Sequence, residues 1–335
     1  MAHHLLQLSN SDQRDIYRTG ADRLGLPALI VEKDVWICWA LQTVFSHGDA
    51  LPMAFKGGTS LSKVFGVIKR FSEDVDLTIG FDAMPAVLPN SRNKRDKLSA
   101  ALRGLVADHL AEVVRPHLIR TLERDSLSAT ATLADPETLC LHYPSCIDTR
   151  DGYIASQVRL EFGGRNRIVP SEVHDVRPYV ADLNLPLQIP TATVNVLSPA
   201  RTFWEKVTLA HAACAVSDWR SEAERFARHW YDLALLADHR IAEVALGDHA
   251  LLHDVVAVKS AFWSKSRVSY EQCLSGECRL VPDGRLLNGL RRDYEMMIRA
   301  RMFSEAPPTF DDVVQRLRAL EARINAEFTR RPGTD

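Results

Sequence analysis

Two short stretches carry the residues best suited to chemistry: Phe55-Lys56-Gly57-Gly58-Thr59-Ser60-Leu61-Ser62-Lys63, and Arg70-Phe71-Ser72-Glu73-Asp74-Val75-Asp76-Leu77. Side chains alternate along a strand, so Asp74 and Asp76 project from one face while Val75, Leu77 and Ile79 face the core. Adjacent carboxylates repel and raise each other's pKa. A hard divalent cation with oxygen ligands resolves that conflict, and such cations can clamp the oxygens of an in-line phosphoryl displacement. Gly57 and Gly58 let backbone N–H groups approach an anion closely, and the helix start that follows adds its positive end. Ser60 and Lys63 are expected to reach phosphate oxygens, with Thr59, Arg70 and Ser72 completing the set around a triphosphate.

Further candidates lie downstream. The run 156–162 alternates so that Val158, Leu160 and Phe162 face one side and Arg159 and Glu161 the other. Glu161 is therefore a candidate third acid, as metal ligand or as general base for an attacking hydroxyl. The competing reading pairs it with Arg159 or Arg165. In Ser198-Pro199-Ala200-Arg201-Thr202-Phe203-Trp204-Glu205-Lys206, the stripe Phe203, Val207, Ala210 leaves Lys206 off the core face. Asp232 closes Arg228-His229-Trp230-Tyr231-Asp232, where a local i,i+4 pair with Arg228 is the plain alternative.

The elements that must position these residues read as follows. Helical spacing covers 12–24 and 31–45, and a short amphipathic helix follows Gly57-Gly58. Strands are expected at 75–79, 129–133, 156–162 and 193–197, a helix at 97–120, and a proline-punctuated loop region from Pro170 to Pro190. Ser198-Pro199 reads as N-cap and first turn of a helix. Helices are then expected at 200–216, 223–239, 255–264, 286–302 and 310–327. The fold class is α+β: a small mixed sheet flanked by helices, with residues 1–197 as core and amino-terminal helices and 198–335 as a helical carboxy-terminal domain.

Composition narrows the field. The 335 residues are 46% hydrophobic and 25% charged, with net charge −2, so a wholly basic nucleic-acid binder is excluded and RNA would need a local patch. Arg92, Lys94, Arg95 and Lys97 form one such cluster. The sequence shows no secretory signal and no apolar run long enough for a membrane span. The six cysteines, scattered mostly among apolar neighbours, read as reduced cytoplasmic thiols, and structural zinc is not expected because neither Cys140-His142-Cys146 nor Cys273-Cys278 has a second ligand pair at zinc-site spacing.

The stretch Gly57–Lys63 with Arg70–Leu77 resembles the first signature of the AbiEii/AbiGii toxin family, type IV toxin–antitoxin nucleotidyltransferases that include MenT-like members. Val31-Glu32-Lys33-Asp34-Val35-Trp36 resembles its amino-terminal segment, and Leu280-Val281-Pro282-Asp283, Asp293-Tyr294 and Pro308-Thr309-Phe310 its carboxy-terminal region. The resemblance implies that Lys206 contacts the triphosphate and that Asp232 belongs to the closing signature, where His229 replaces an acid. It further implies Mg2+ or Mn2+ on Asp74 and Asp76, a nucleoside triphosphate substrate, an RNA acceptor such as the tRNA 3′ end, a cognate antitoxin and a role in phage defence. Two rival readings keep the same pocket: phosphorylation or nucleotide transfer to a protein or small molecule, and a non-catalytic nucleotide-binding module.

Overall fold

The computed structural model describes residues 4–147, 155–216, 225–264 and 267–329. Asn10–Leu24 (α1) starts with the Ser9 hydroxyl accepting the Asp12 N–H and stops at Gly25, whose positive φ ends the turn. Ala28–Phe45 (α2) follows. Then come Met53–Lys56 (β1), Gly57–Lys63 (α3) and Asp74–Ile79 (β2). The single helix expected at 97–120 is Arg92–His109 (α4) and Arg115–Arg124 (α5), joined through a π turn at Leu110–Val114. Pro116 lies in the first turn of α5, where it has no N–H to donate backwards. Thr130–Asp135 (β3), Thr138–His142 (β4), Gln157–Gly163 (β5), Ser171–Val176 (β6) and Ala192–Leu197 (β7) complete the strands. Helices follow at Pro199–Ala215 (α6), Ala227–Ala237 (α7), Arg240–Gly247 (α8), His249–Phe262 (α9), Gly284–Arg299 (α10) and Phe310–Thr329 (α11). The expected helix start at 223–224 lies outside the described residues.

The strands form one seven-stranded mixed sheet in the order β3-β4-β5-β2-β1-β7-β6. This is the α+β architecture expected, with three strands more than expected: β1, β4 and β6. Residues 171–176, within the stretch read as loop, form the edge strand β6 antiparallel to β7.

The chain divides into two compact units. One comprises Met1–Met84, Ala100–Leu197 and Arg301–Glu305, the other Pro85–Ser99, Ser198–Ala300 and Ala306–Asp335. In the first, β2 pairs antiparallel with β1 and parallel with β5, so its apolar residues Val75, Leu77 and Ile79 join Phe55, Val158 and Leu160 in one core. That core is shared with α2, which is buried along almost its whole length. Each such large apolar side chain contributes roughly 1.5–3 kcal/mol by leaving water.

The second unit is helical throughout its named elements. Two of its indoles are fixed by hydrogen bonds to backbone: Trp204 Nε1 donates to the Ala245 carbonyl (3.1 Å) and Trp230 Nε1 to that of Leu280 (2.8 Å). Asp293 of α10 caps the start of α7, accepting the N–H groups of Arg225 and Ala227 at 2.7 and 2.6 Å. Tyr294, next in sequence, donates to the Pro308 carbonyl at 2.8 Å. Ser198 stands at the N-cap of α6 with Pro199 in the first turn, but its side chain makes no capping bond.

Candidate active site

The polar face of the sheet is assembled by strand register. Asp76 lies beside Lys56 of β1 on one side and Glu161 of β5 on the other, and Asp74 lies beside Arg159. Paired residues of neighbouring strands share a face, so Asp74, Asp76, Arg159 and Glu161 stand together opposite the apolar core. The Arg159 guanidinium reaches both acids next to it, at 3.3 Å from Glu161 and 4.0 Å from Asp74. Both the expected third acid and its expected arginine partner are therefore present on this face. Burial raises the Glu161 carboxyl, the charges of Asp76 and Asp74 raise it further, and Arg159 opposes them without cancelling the rise. Three carboxylates gathered on one face form a donor set of hard oxygens.

Gly57 adjoins this face. Its φ is +79°, and a Cβ built there would stand 2.1 Å from Asp76 Oδ2. Both the backbone conformation and the space therefore require glycine. The residues after it act mainly inward. The Thr59 hydroxyl donates to the Asp74 carbonyl at 2.5 Å, which ties α3 to the first residue of β2. Ser60 donates to the Gly57 carbonyl at 2.9 Å, and Gly58, Thr59 and Ser60 are all buried. Arg70 and Ser72 are buried on the segment leading into β2. One Arg70 nitrogen donates to the Phe71 carbonyl at 3.0 Å, while the Phe71 N–H donates to Met302 at 2.7 Å.

Lys63 departs from expectation. Its ammonium is buried, ion-paired with Asp34 of α2, and 3.9 Å above the Tyr179 ring. Burial disfavours the charge, Asp34 outweighs it, and the ammonium is held above its ordinary range. The end of α3 is thus anchored from behind instead of lending this lysine to an anion.

The anchor belongs to a set that the sequence reading noted only as a resemblance. Glu32, Lys33 and Asp34 are consecutive, and each is no more than 2% exposed. Glu32 accepts the Ser145 hydroxyl and the Cys146 N–H. Lys33 pairs with Glu73 at 3.0 Å and donates to the Ala155 carbonyl at 3.2 Å. Asp34 holds Lys63 and accepts the Tyr179 N–H at 2.7 Å. One turn of α2 thereby fixes both the end of α3 and the residue before Asp74. Three consecutive charges inside an apolar helix, with no solvent face to receive them, were the available signal.

Lys206 and Asp232 lie in the second unit. Lys206 Nζ donates to Asp232 Oδ2 at 2.8 Å, with the lysine side chain 8% and the aspartate 0% exposed. The expectation that Lys206 stands off the core face is corrected here. Arg201, Thr202, Thr208 and His211 are buried on the same helix, so α6 has no broad solvent face near Lys206. In the basic cluster, Arg95 donates to the Ser260 carbonyl at 3.1 Å, and Arg92 lies 3.8 Å from Asp96.

Among the described residues no helix is long and apolar enough to cross a membrane. No curated protein matches the chain. Among solved structures it is similar to MenT4, a nucleotidyltransferase toxin from Mycobacterium tuberculosis H37Rv. The two are 17% identical over 96% of this chain and 99% of that one, with a TM-score of 0.43. The family model of the nucleotidyl transferase AbiEii toxin, of the type IV toxin–antitoxin system, matches residues 39–316, which include both carboxylate strands and the glycine turn. The chain belongs to this AbiEii family of toxins and is a nucleotidyltransferase.

Proposed function

We propose that the chain transfers a nucleoside monophosphate from a nucleoside triphosphate to a hydroxyl of RNA, with the 3′ end of tRNA as the preferred acceptor. The observation that carries the reading is the polar face itself, where Asp74, Asp76 and Glu161 adjoin one another and Asp76 rests against a glycine that admits no Cβ. An all-carboxylate donor set suits Mg2+ or Mn2+, with Asp74 and Asp76 as ligands. Bound there, the cation would supply charge to the triphosphate and to the pyrophosphate that leaves.

The residues of the chain do the rest. Gly57 and Gly58 present backbone to the phosphates without side-chain obstruction, and Thr59, Ser60, Lys63, Arg70 and Ser72 hold that turn and the entry to β2 in place. Glu161, with its pKa raised, accepts the proton of the acceptor hydroxyl. That oxygen forms a bond to the α-phosphorus, the bond to the β-phosphate oxygen breaks, and pyrophosphate departs. The family resemblance implies that Lys206, held by Asp232 at 2.8 Å, contributes positive charge for the triphosphate. The family context supplies a cognate antitoxin as partner, and we place the enzyme in the cytoplasm, as a toxin of phage defence.

The test incubates the protein with Mg2+, each α-32P-labelled nucleoside triphosphate and total bacterial RNA, beside Asp76→Ala. A labelled tRNA-sized band that is absent in the variant is expected. Label on protein or on a small molecule instead would keep the transferase and replace the acceptor. Triphosphate binding with no label anywhere would leave only a binding module.

A further inference from the structure

Away from the carboxylate face, the second unit gathers three metal-ligating side chains that the nucleotidyl-transfer reading does not use. His211 of α6, Cys273 and Cys278 are all buried, and one ligand atom from each lies within 4.8 Å of the other two. The sulfurs of Cys273 and Cys278 are 3.7 Å apart. Two thiolates bound to one tetrahedral zinc at about 2.3 Å each are separated by about 3.8 Å. A disulfide needs about 2.05 Å. The observed spacing therefore matches shared coordination and not a bond between the sulfurs.

The histidine is set up in the same sense. Its Nε2 faces the Ser269 carbonyl at 2.9 Å, and its Nδ1 faces the Arg279 N–H at 3.1 Å. A carbonyl only accepts and a backbone N–H only donates, so the proton sits on Nε2 and the lone pair on Nδ1. Metal-bound histidines are commonly oriented by such a bond from the second nitrogen to a backbone carbonyl. Asn325 of α11 grips the Cys278 backbone from both sides, accepting its N–H at 2.8 Å and donating to its carbonyl at 3.0 Å.

We propose that His211, Cys273 and Cys278 bind one cation of the zinc class, and that this site is not the carboxylate site. Zinc takes the His211 lone pair in place of the Arg279 N–H, and each thiol that coordinates releases its proton to solvent. Sequence spacing alone does not reveal the set, because the histidine lies on a helix far upstream of the cysteine loop. The proposal does not depend on the nucleotidyl-transfer mechanism, and neither fails with the other.

The experiment titrates Co2+ into the full-length chain after chelator treatment, with a non-thiol reductant present. One equivalent is expected to produce the thiolate-to-cobalt charge-transfer band and the visible bands of a tetrahedral site, which Zn2+ then abolishes. Stoichiometric Zn2+ should raise the Tm by roughly 5–10 °C. The bands should persist in Asp74→Asn/Asp76→Asn and vanish in Cys273→Ser/Cys278→Ser. Their absence from the wild-type protein overturns the site without any variant having to fold, and leaves the two thiols as a buried hydrogen-bonded pair. Bands that survive loss of both cysteines overturn it equally.

Discussion

The first unit contains two groups of acidic residues that make opposite use of the same chemistry. In α2, Glu32 and Asp34 are buried almost completely, yet each is surrounded by donors, and Lys33 between them is paired with Glu73. On the sheet face, Asp74, Asp76 and Glu161 are crowded together with Arg159 as a shared neighbour, and the Glu161 carboxyl is pushed upward. Burial raises the Glu32 and Asp34 carboxyls as well, but donors and the Lys63 ammonium stand opposite them, and charge so held fixes one arrangement. Where carboxylates stand opposite one another, as Glu161 does to Asp76 and Asp74, the arrangement suits a ligand. The difference lies in what stands opposite each carboxylate, not in how deep it lies.

Variants should separate the two groups cleanly. Asp76→Ala is expected to lower nucleotide transfer by about a thousand-fold, the scale of the several kcal/mol a bound metal supplies, with the urea midpoint unchanged or raised. An unfolded variant would break the contrast. Lys33→Met, in the α2 group, should lower stability by about 3–5 kcal/mol in urea denaturation, because it removes the cation of the buried Lys33–Glu73 ion pair. Adding Glu73→Leu should restore much of that loss, and no recovery would mean that the pair is not the cause.

Gly57→Ala falls between the groups. The methyl must displace the Asp76 carboxylate, so kcat should fall about 100-fold while stability falls by only about 1–2 kcal/mol. Arg159→Met should have the smallest effect. It removes the cation that opposes the upward push on Glu161, whose ionised form is the active one, so the acid limb of kcat/KM should move to higher pH by about one unit. A limb that stays in place would assign it to another group. For stability the sign reverses. A carboxyl with raised pKa stabilises the fold fully below its ordinary range and loses that contribution as pH rises through the raised value. Glu161→Gln should therefore melt higher than the wild type at neutral pH in chelator, though inactive.

The site was more legible in the sequence than the sheet that carries it. Val75, Leu77 and Ile79 alternate with Asp74, Asp76 and Thr78, and Val158, Leu160 and Phe162 with Arg159 and Glu161, because these strands have one buried and one polar face. The strands that escaped notice lack that contrast. β4 is buried at Thr138, Leu139, Cys140 and Leu141 in succession, β1 spans only four residues, and β6 is a polar edge strand. The destination of Lys63 was hidden because its partner Asp34 sits in a helix whose charged turn is the exception to its apolar texture. Lys206 was misplaced by reading α6 as two-sided when it is buried nearly all round.

The three charges of α2 also constrain when the toxin can exist. Their partners are Glu73, Lys63, the Ser145–Cys146 stretch and the Tyr179 N–H, spread over much of the chain downstream. During synthesis, α2 leaves the ribosome long before the last of them. It cannot enter an apolar core at that stage without burying unpaired charge, and contacts between distant segments form slowly. A nascent chain is therefore held back from its finished sheet until Tyr179 and then β7 have emerged, an interval in which the cell makes the polypeptide before it makes the poison.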